Sequence, residues 1–402
     1  MTADNPATSD WDRGTRELYA RLIEAWDKRN ARDFALLFAS NGNLIGFDGS
    51  QVNGQLEVGA HLTEIFTRDL AIHPRDNDLV IATHGRGIWI IDDITPLRAL
   101  TPATLAQDVV FVRAKPTAQK ILAGGGWVNG DASYVGDNST DAAVITYYLK
   151  KRHIFGDMKI EVLDASGHVV GTVPSTKRRG LSRVTWSMRL PPPKVPPAAS
   201  AAFGAAYGPR VLPGAYTVKM TKDDKVYTMP LQLVSDPRET HTMADRQAQL
   251  ALANKLVGML GDMSFAVERM NGVRSNLEDR ASRLPAGDPL AQRLRDASSA
   301  ADVMRKKIVA TKEGGMITGE ERLRENLTDL YGAVVFYDGR PSQMQIDRTD
   351  AIGRELGDIV AAFGAWSTKD LGALNTELGA KKLQPIALIS RAQWEGVGKG
   401  GQ

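Results

Sequence analysis

Between Val234 and Met243 the apolar residues of this chain change their period. Upstream, short runs alternate or are apolar throughout, with turn residues between them, as strands require. Downstream, Leu256, Leu260, Met263, Val267 and Met270 recur every three or four residues, which is one face of a helix. The two patterns are segregated along the chain, so the class is multidomain α+β. The 402 residues are long enough for two to four domains, and a hydrophobic content of 43% can supply their cores.

Charge and cysteine content remove several functions. Lys plus Arg number 50 against 47 Asp plus Glu, so net charge gives no push toward nucleic acid. The chain has no cysteine, which excludes disulfides, thiolate metal sites and cysteine nucleophiles. The start, MTADNPATSDWDRG, lacks the basic and apolar regions of a signal peptide. No window reads as a membrane span of about 18 apolar residues. A cytoplasmic protein without a membrane span is the expectation for the chain as written.

The stretch Asp69–Leu97, DLAIHPRDNDLVIATHGRGIWIIDDITPL, contains three apolar strands at 70–72, 79–83 and 88–91. Pro74 fixes φ at the first reversal; Gly85 and Gly87 permit the positive φ that a tight second reversal needs. Three uncovered strands are marginal in water. His73 and His84 lie in these turns without a third ligand at metal spacing, so they read as turn residues. The phrase LAIHPRDNDLVIATHGRGIWIIDD resembles the last blade of BNR/Asp-box β-propellers, the group of sortilin-like and photosystem-stability-factor-like chains. That resemblance implies structural roles for Gly85, Gly87 and Trp89, and neighbouring blades that have no counterpart here. Relatives of this kind are often exported.

Upstream, Leu18, Leu22 and Trp26 at i, i+4 and i+8 give an amphipathic helix from Thr15 to Asn30. A short helix at 33–38, a strand at 44–47 and a helix at 55–66 follow. RELYARLIEAWDKRNARDFALLFASNGNLIGFDGSQVNG and GAHLTEIF resemble the opening of a SnoaL-like (NTF2-fold) domain of the SgcJ/EcaC branch. The resemblance covers about the first half of such a domain and implies Trp26 and Phe47 as ligand-pocket residues. Asp48 is the one weak catalytic candidate. The plainer reading makes Trp26 and Phe47 core residues and Asp48 a turn residue. Both fragments lack cover, so the three strands are expected to pack on the helix carrying Leu18, Leu22 and Trp26.

From Asp108 to Asp236, seven short strands with regular turns predict a two-sheet antiparallel sandwich. IEVLDASGHVVGTV, GLSRVTWSMRL and LPGAYTVKMT resemble the immunoglobulin-like sandwich that follows the propeller in BNR chains, with Trp186 and Tyr216 in its core. The proline run Leu190–Pro197 and the Ala/Gly stretch to Gly208 read as a surface loop between strands. Lys150–Arg152 and Lys177–Arg179 read as solvated basic turns. Beyond Met243, Asp288-Pro289, Thr318 with Glu321, and Ser342 are helix starts. They divide the region into four antiparallel helices, an arrangement similar to the helical tail of BNR chains.

The expected organisation is therefore 1–67, a partial SnoaL-like domain; 68–103, a blade remnant with linker; 104–240, an Ig-like sandwich; 241–390, a helical bundle; and 391–402, a flexible tail. No protease, hydrolase, Walker or dinucleotide motif occurs, and neither metal nor cofactor is implied. The first functional expectation is a non-catalytic accessory region that binds a protein or glycan partner and no nucleic acid. The alternative is a SnoaL-like small-molecule enzyme or ligand binder using the N-terminal pocket. A BNR glycosyl hydrolase is the weaker third, since the propeller that would hold its site is missing. The sequence leaves oligomeric state open.

Overall fold

An N-terminal helix α1 (Pro6–Asp27) ends where Asn30 takes over as the cap of α2 (Ala31–Ala35). The Asn30 side chain accepts from the Asp33 N–H at 3.1 Å and donates to its carboxylate at 2.7 Å, so the chain must turn there. The computed structural model describes residues 6–28, 30–45, 51–64, 67–83, 87–112, 115–121, 140–312 and 319–397. Two compact units divide it, Met1–Ala106 and Gln107–Gln402.

The first unit continues with β1 (Asn43–Ile45), β2 (Gln51–Asn53) and α3 (Gly54–Glu64). A three-stranded antiparallel sheet follows, β3 (Thr67–Ile72), β4 (Leu79–Thr83) and β5 (Ile88–Ile91), with β4 central. Short helices α4 (Thr95–Arg98) and α5 (Pro102–Ala106) close the unit. Its described core is small: Ala35, Val52 and Val58, flanked by Phe38, Leu44 and Leu62. The expected packing of the sheet on α1 does not bury either partner. Leu18, Tyr19, Ile23 and Trp26 on α1 are exposed, and so are Leu70, Ile72, Ile88, Trp89 and Ile90 on the strands. Among the described side chains of α1 only Ala25 is buried, so the stripe of Leu18, Leu22 and Trp26 does not serve as the covered face that its period predicts.

The second unit opens with β6 (Val109–Val112), β7 (Thr117–Gln119), β8 (Ala143–Leu149), β9 (Met158–Leu163), β10 (Val169–Val173), β11 (Gly180–Trp186), β12 (Gly214–Lys222) and β13 (Lys225–Ser235). They form a five-stranded sheet in the order β10-β9-β12-β13-β7 and a three-stranded sheet in the order β11-β8-β6. The β13–β7 pairing is parallel, where an all-antiparallel arrangement is the expectation. Both sheets contribute to one apolar core, with Ile145, Tyr147 and Trp186 from one side and Ile160, Val218, Met220 and Leu231 from the other.

Helices follow: α6 (Met243–Ser282), α7 (Pro289–Ile308), α8 (Leu323–Val335) and α9 (Gln343–Trp366). A π-helical turn (Ser367–Leu371) leads from α9 into α10 (Gly372–Ala380), and α11 (Arg391–Val397) is last. Asp288 and Ser342 cap α7 and α9 with their side chains, as their spacing predicts. Helix α8 starts later than a cap at Thr318 would place it, and Thr318 itself lies outside the described residues. Glu320 accepts from the backbone N–H of Thr311 at 2.8 Å and of Lys312 at 3.3 Å, which holds the preceding turn out of the helix. Those bonds, with the Arg322 guanidinium, lower the Glu320 carboxyl to about 2. Arg391–Val397 is helical where a flexible tail is expected, because Trp394 packs on Phe265 with the Lys194 ammonium 4.7 Å from its ring.

Helix α6 is long and apolar enough to cross a membrane by length and composition. Its apolar residues instead form a core shared with α7, α8 and α9, through Leu294, Leu327, Tyr331, Ile352 and Phe363.

The surface-loop reading of 190–208 needs correction. The segment lies across the helices as a strap, with Pro193, Pro196 and Ala205 buried. Arg324 donates to the carbonyls of Pro196 and Ser200, the Ser264 hydroxyl to that of Lys194, and the Tyr331 hydroxyl to that of Tyr207. A proline-rich stretch has few N–H groups of its own and leaves its carbonyls for such donors. At Gly204 the strap touches α8 so closely that an added Cβ would lie 2.3 Å from the Thr328 carbonyl oxygen. Gly204→Ala is therefore expected to cost about 1–3 kcal/mol by overpacking. Gly258→Ala, at an exposed α6 position with nothing within 4 Å of the new Cβ, should gain roughly 0.5–1 kcal/mol from helix propensity. Urea unfolding of both variants checks the pair. Equal effects would mean that the strap yields at Thr328.

Candidate functional site

Of the ligand-pocket candidates only Trp26 falls among the described residues. Trp26 lies on α1 at 57% exposure, with its ring 5.7 Å from Phe34. This corrects the core reading of Trp26. Phe47, Asp48 and Gly85 lie outside the described residues. Open grooves run beside α1, one lined by Tyr19, Ala20, Ile23, Glu24, Asp27 and Lys28, and neither described groove includes Trp26. Both grooves contain Glu24 and Lys28, which bond each other at 2.5 Å across one turn of helix. That exposed pair is ordinary helix-surface chemistry.

Among the described residues, no three His, Asp or Glu side chains are placed to hold a metal ion. His73 serves its own turn, its Nδ1 accepting from the Asp76 N–H at 3.2 Å. Trp186 and Tyr216 sit in the two-sheet core with ring centroids 5.6 Å apart. The Tyr216 hydroxyl donates to the Leu212 carbonyl at 2.7 Å, and burial pushes its pKa up to about 12. It acts as a fixed donor, not as an acid at neutral pH.

What remains is the sheet β3-β4-β5. Gly87, at φ +80°, gives its carbonyl to the Thr83 N–H at 3.0 Å and hydroxyl at 2.7 Å, closing the β4–β5 hairpin. Below it, Ile81 faces Trp89 and Val80 faces Ile90 in register. The far end of β5 is tied down by Asp78, which accepts from the Asp93 N–H at 2.9 Å, and by the Ile94 N–H bonding the Asn77 carbonyl at 2.9 Å. Both turn ends are thus defined by hydrogen bonds.

Successive strand residues point to opposite faces. Ile88 at 70%, Trp89 at 41% and Ile90 at 60% exposure are consecutive, so β5 is bare on both faces. Among the described strands it pairs with β4 alone, which leaves its outer edge open. A continuous apolar surface with a free edge can bind; Ile, Trp and Leu supply no acid, base or nucleophile. Sequence inspection found the strands and assigned Trp89 a structural role. Its exposure had no signal, because it depends on what lies beside the sheet.

No protein-family model, curated protein or solved structure matches the chain.

Proposed function

We propose that the chain is a non-catalytic interaction region of the BNR-repeat, sortilin-like kind, joined behind a SnoaL-like fragment, and that it binds a protein or glycan partner. The observation that carries this reading is the bare edge of β5 with Ile88, Trp89 and Ile90 exposed in sequence. An open strand edge can accept a partner strand through main-chain hydrogen bonds, with alternate side chains giving selectivity. An exposed indole also offers a flat apolar face to a sugar ring. The immunoglobulin-like reading of 104–240 is supported by Tyr216, whose hydroxyl reaches a carbonyl four residues upstream, Leu212, as in a tyrosine corner.

The SnoaL-like enzyme alternative would need a pocket around Trp26, whose indole stands exposed on α1. The test has two arms on the full chain. A photo-cross-linking residue at position 90 should give discrete adducts that Ile88→Lys with Leu70→Lys removes. Glycoside and polyketide-like substrates should not turn over. Turnover that disappears in Asp48→Asn would replace this reading with the enzymatic one, and adducts unaffected by the lysine substitutions would remove β5 as the binding edge.

A further inference from the structure

The loop joining β8 to β9, residues 150–157, reads Lys-Lys-Arg-His-Ile-Phe-Gly-Asp. Its middle is turned inside out relative to the usual arrangement. His153 is buried, while Ile154 is 66% and Phe155 85% exposed. The base of the loop is firmly held. The His153 N–H bonds the Lys177 carbonyl at 2.9 Å, the Lys177 ammonium bonds the Gly156 carbonyl at 2.7 Å, and the Asp223 N–H bonds the Asp157 carbonyl at 3.0 Å. Gly156 takes φ +87°, and a Cβ there would lie 2.1 Å from an Asp223 carboxylate oxygen. Tyr147 pins the neighbouring β10–β11 connection, its hydroxyl donating to the Thr176 carbonyl at 2.7 Å and accepting from the Thr176 N–H at 2.8 Å.

These bonds bring the two basic runs, Lys150–Arg152 and Lys177–Arg179, to one end of the two sheets around an apolar tip. The acidic side chains beside them are Asp108, Asp157, Asp223 and Asp224; Asp108 pairs with Lys222 at 3.2 Å, and the half-exposed Asp223 lies 3.5 Å from the buried His153 ring. Five exposed cations, Lys150, Lys151, Arg152, Arg178 and Arg179, thus lie on the connections that carry two exposed apolar side chains, while the Lys177 ammonium is taken by the Gly156 carbonyl.

We propose that this end of the sheets docks on an anionic lipid bilayer, with Ile154 and Phe155 entering the interface and the basic runs contacting headgroups. A basic cluster alone fits any polyanion. The apolar tip decides between them: Phe155 could stack on a nucleobase but Ile154 could not, whereas a bilayer interface takes up both side chains. The loop is a projection, not a groove that could seat an acidic peptide. An apolar layer beneath an anionic one satisfies both parts of the surface together. Flanking cations and an exposed Ile-Phe pair do not involve β5, so this proposal does not rest on the interaction edge of the first unit.

The chain has no cysteine, so Phe155→Cys gives a unique attachment point for a polarity-sensitive dye. Full-length protein should float with phosphatidylserine-containing vesicles and not with phosphatidylcholine vesicles, and the dye should shift to the blue on binding. Burial of each apolar side chain corresponds to about tenfold in partitioning, so Ile154→Ser with Phe155→Ser should weaken binding by about 100-fold. Each cation near an anionic surface is worth about fivefold, so Lys151→Glu with Arg178→Glu should weaken it by at least 25-fold, roughly the product of two such factors. Failure to bind the anionic vesicles overturns the proposal. So does binding that the two serines leave intact, or a single-stranded oligonucleotide that binds more tightly than the vesicles at the same salt.

Discussion

Asp338→Ala should lower the stability of the second unit by about 3–5 kcal/mol, the largest loss expected from any single polar residue here. Asp338 lies between α8 and α9 and is buried, as are Arg210 from the strand region and Arg246 from α6. Its carboxylate pairs with the Arg210 guanidinium through one oxygen and lies 2.7 Å from Arg246 through the other. Glu239 stands 3.7 Å from Arg246, and Arg210 also donates to the Lys120 carbonyl at 3.0 Å. Two cations and two anions thus meet where the sheets join the helices, with the Arg189 guanidinium near enough to feel both Arg210 and Asp338.

Burial lowers the Arg210 pKa, but a guanidinium does not lose its proton in a folded protein. Removing the carboxylate therefore strands two desolvated positive charges with Glu239 alone to offset them. Asp338→Asn keeps the volume and removes the charge, so it should lose nearly as much as the alanine. Adding Arg210→Met to Asp338→Ala should restore part of the loss, because one stranded charge goes with it. Urea unfolding reads all three. A loss below about 1 kcal/mol in Asp338→Ala would mean that water already solvates the cluster, and its role in joining sheets to helices would fall.

That cluster shows what was legible in the sequence and what was not. Local signals were readable: Asp288 and Ser342 as caps, the strands at 79–83 and 88–91, and the register of hydrophobic residues along α6 and α9. Each depends on neighbours within a few residues, so the chain carries the information locally. The coarse α+β class and the helical C-terminus follow from the same periods. Arg210, Arg246 and Asp338 are far apart in sequence and have no motif between them, so only the fold reveals their meeting.

The docking of the strap is illegible in the sequence for a related reason. Pro, Ala and Gly over 190–208 look the same whether solvated or docked, and what decides is Arg324 offering its guanidinium to two strap carbonyls. Trp394 was hidden by the glycine-rich end that follows it. The bare β5 edge and the Ile154-Phe155 tip were unreadable from pattern for the opposite reason. Apolar residues are expected inside, and periodicity cannot report that nothing covers them.

Trp186→Ala is expected to cost about 3–5 kcal/mol, through lost burial and the cavity that the indole leaves. Trp186 ends β11 at 4% exposure, edge-on to Tyr216, and lies directly against Gly171 of β10. A Cβ on residue 171 would come within 2.4 Å of the indole Nε1. The ring therefore bridges the two sheets at a point where the opposite strand has given up its side chain to admit it. Indole Nε1 meets no acceptor among the described residues, so its contribution is packing, not hydrogen bonding. Trp186→Phe should accordingly retain most of the stability, since it keeps an aromatic ring and removes an unbonded N–H. The loss in Trp186→Ala should also exceed the simple transfer value, because Gly171 has no side chain to collapse into the space. Cutting out residues 104–240 tests the same core in isolation. Without the helices, Arg210 loses both Asp338 and Arg246, and the strap loses its seat, so the fragment should melt at a lower temperature than the full chain. If Trp186→Ala unfolds with an unchanged urea midpoint, the two sheets do not depend on this ring, and the packing at Gly171 is incidental.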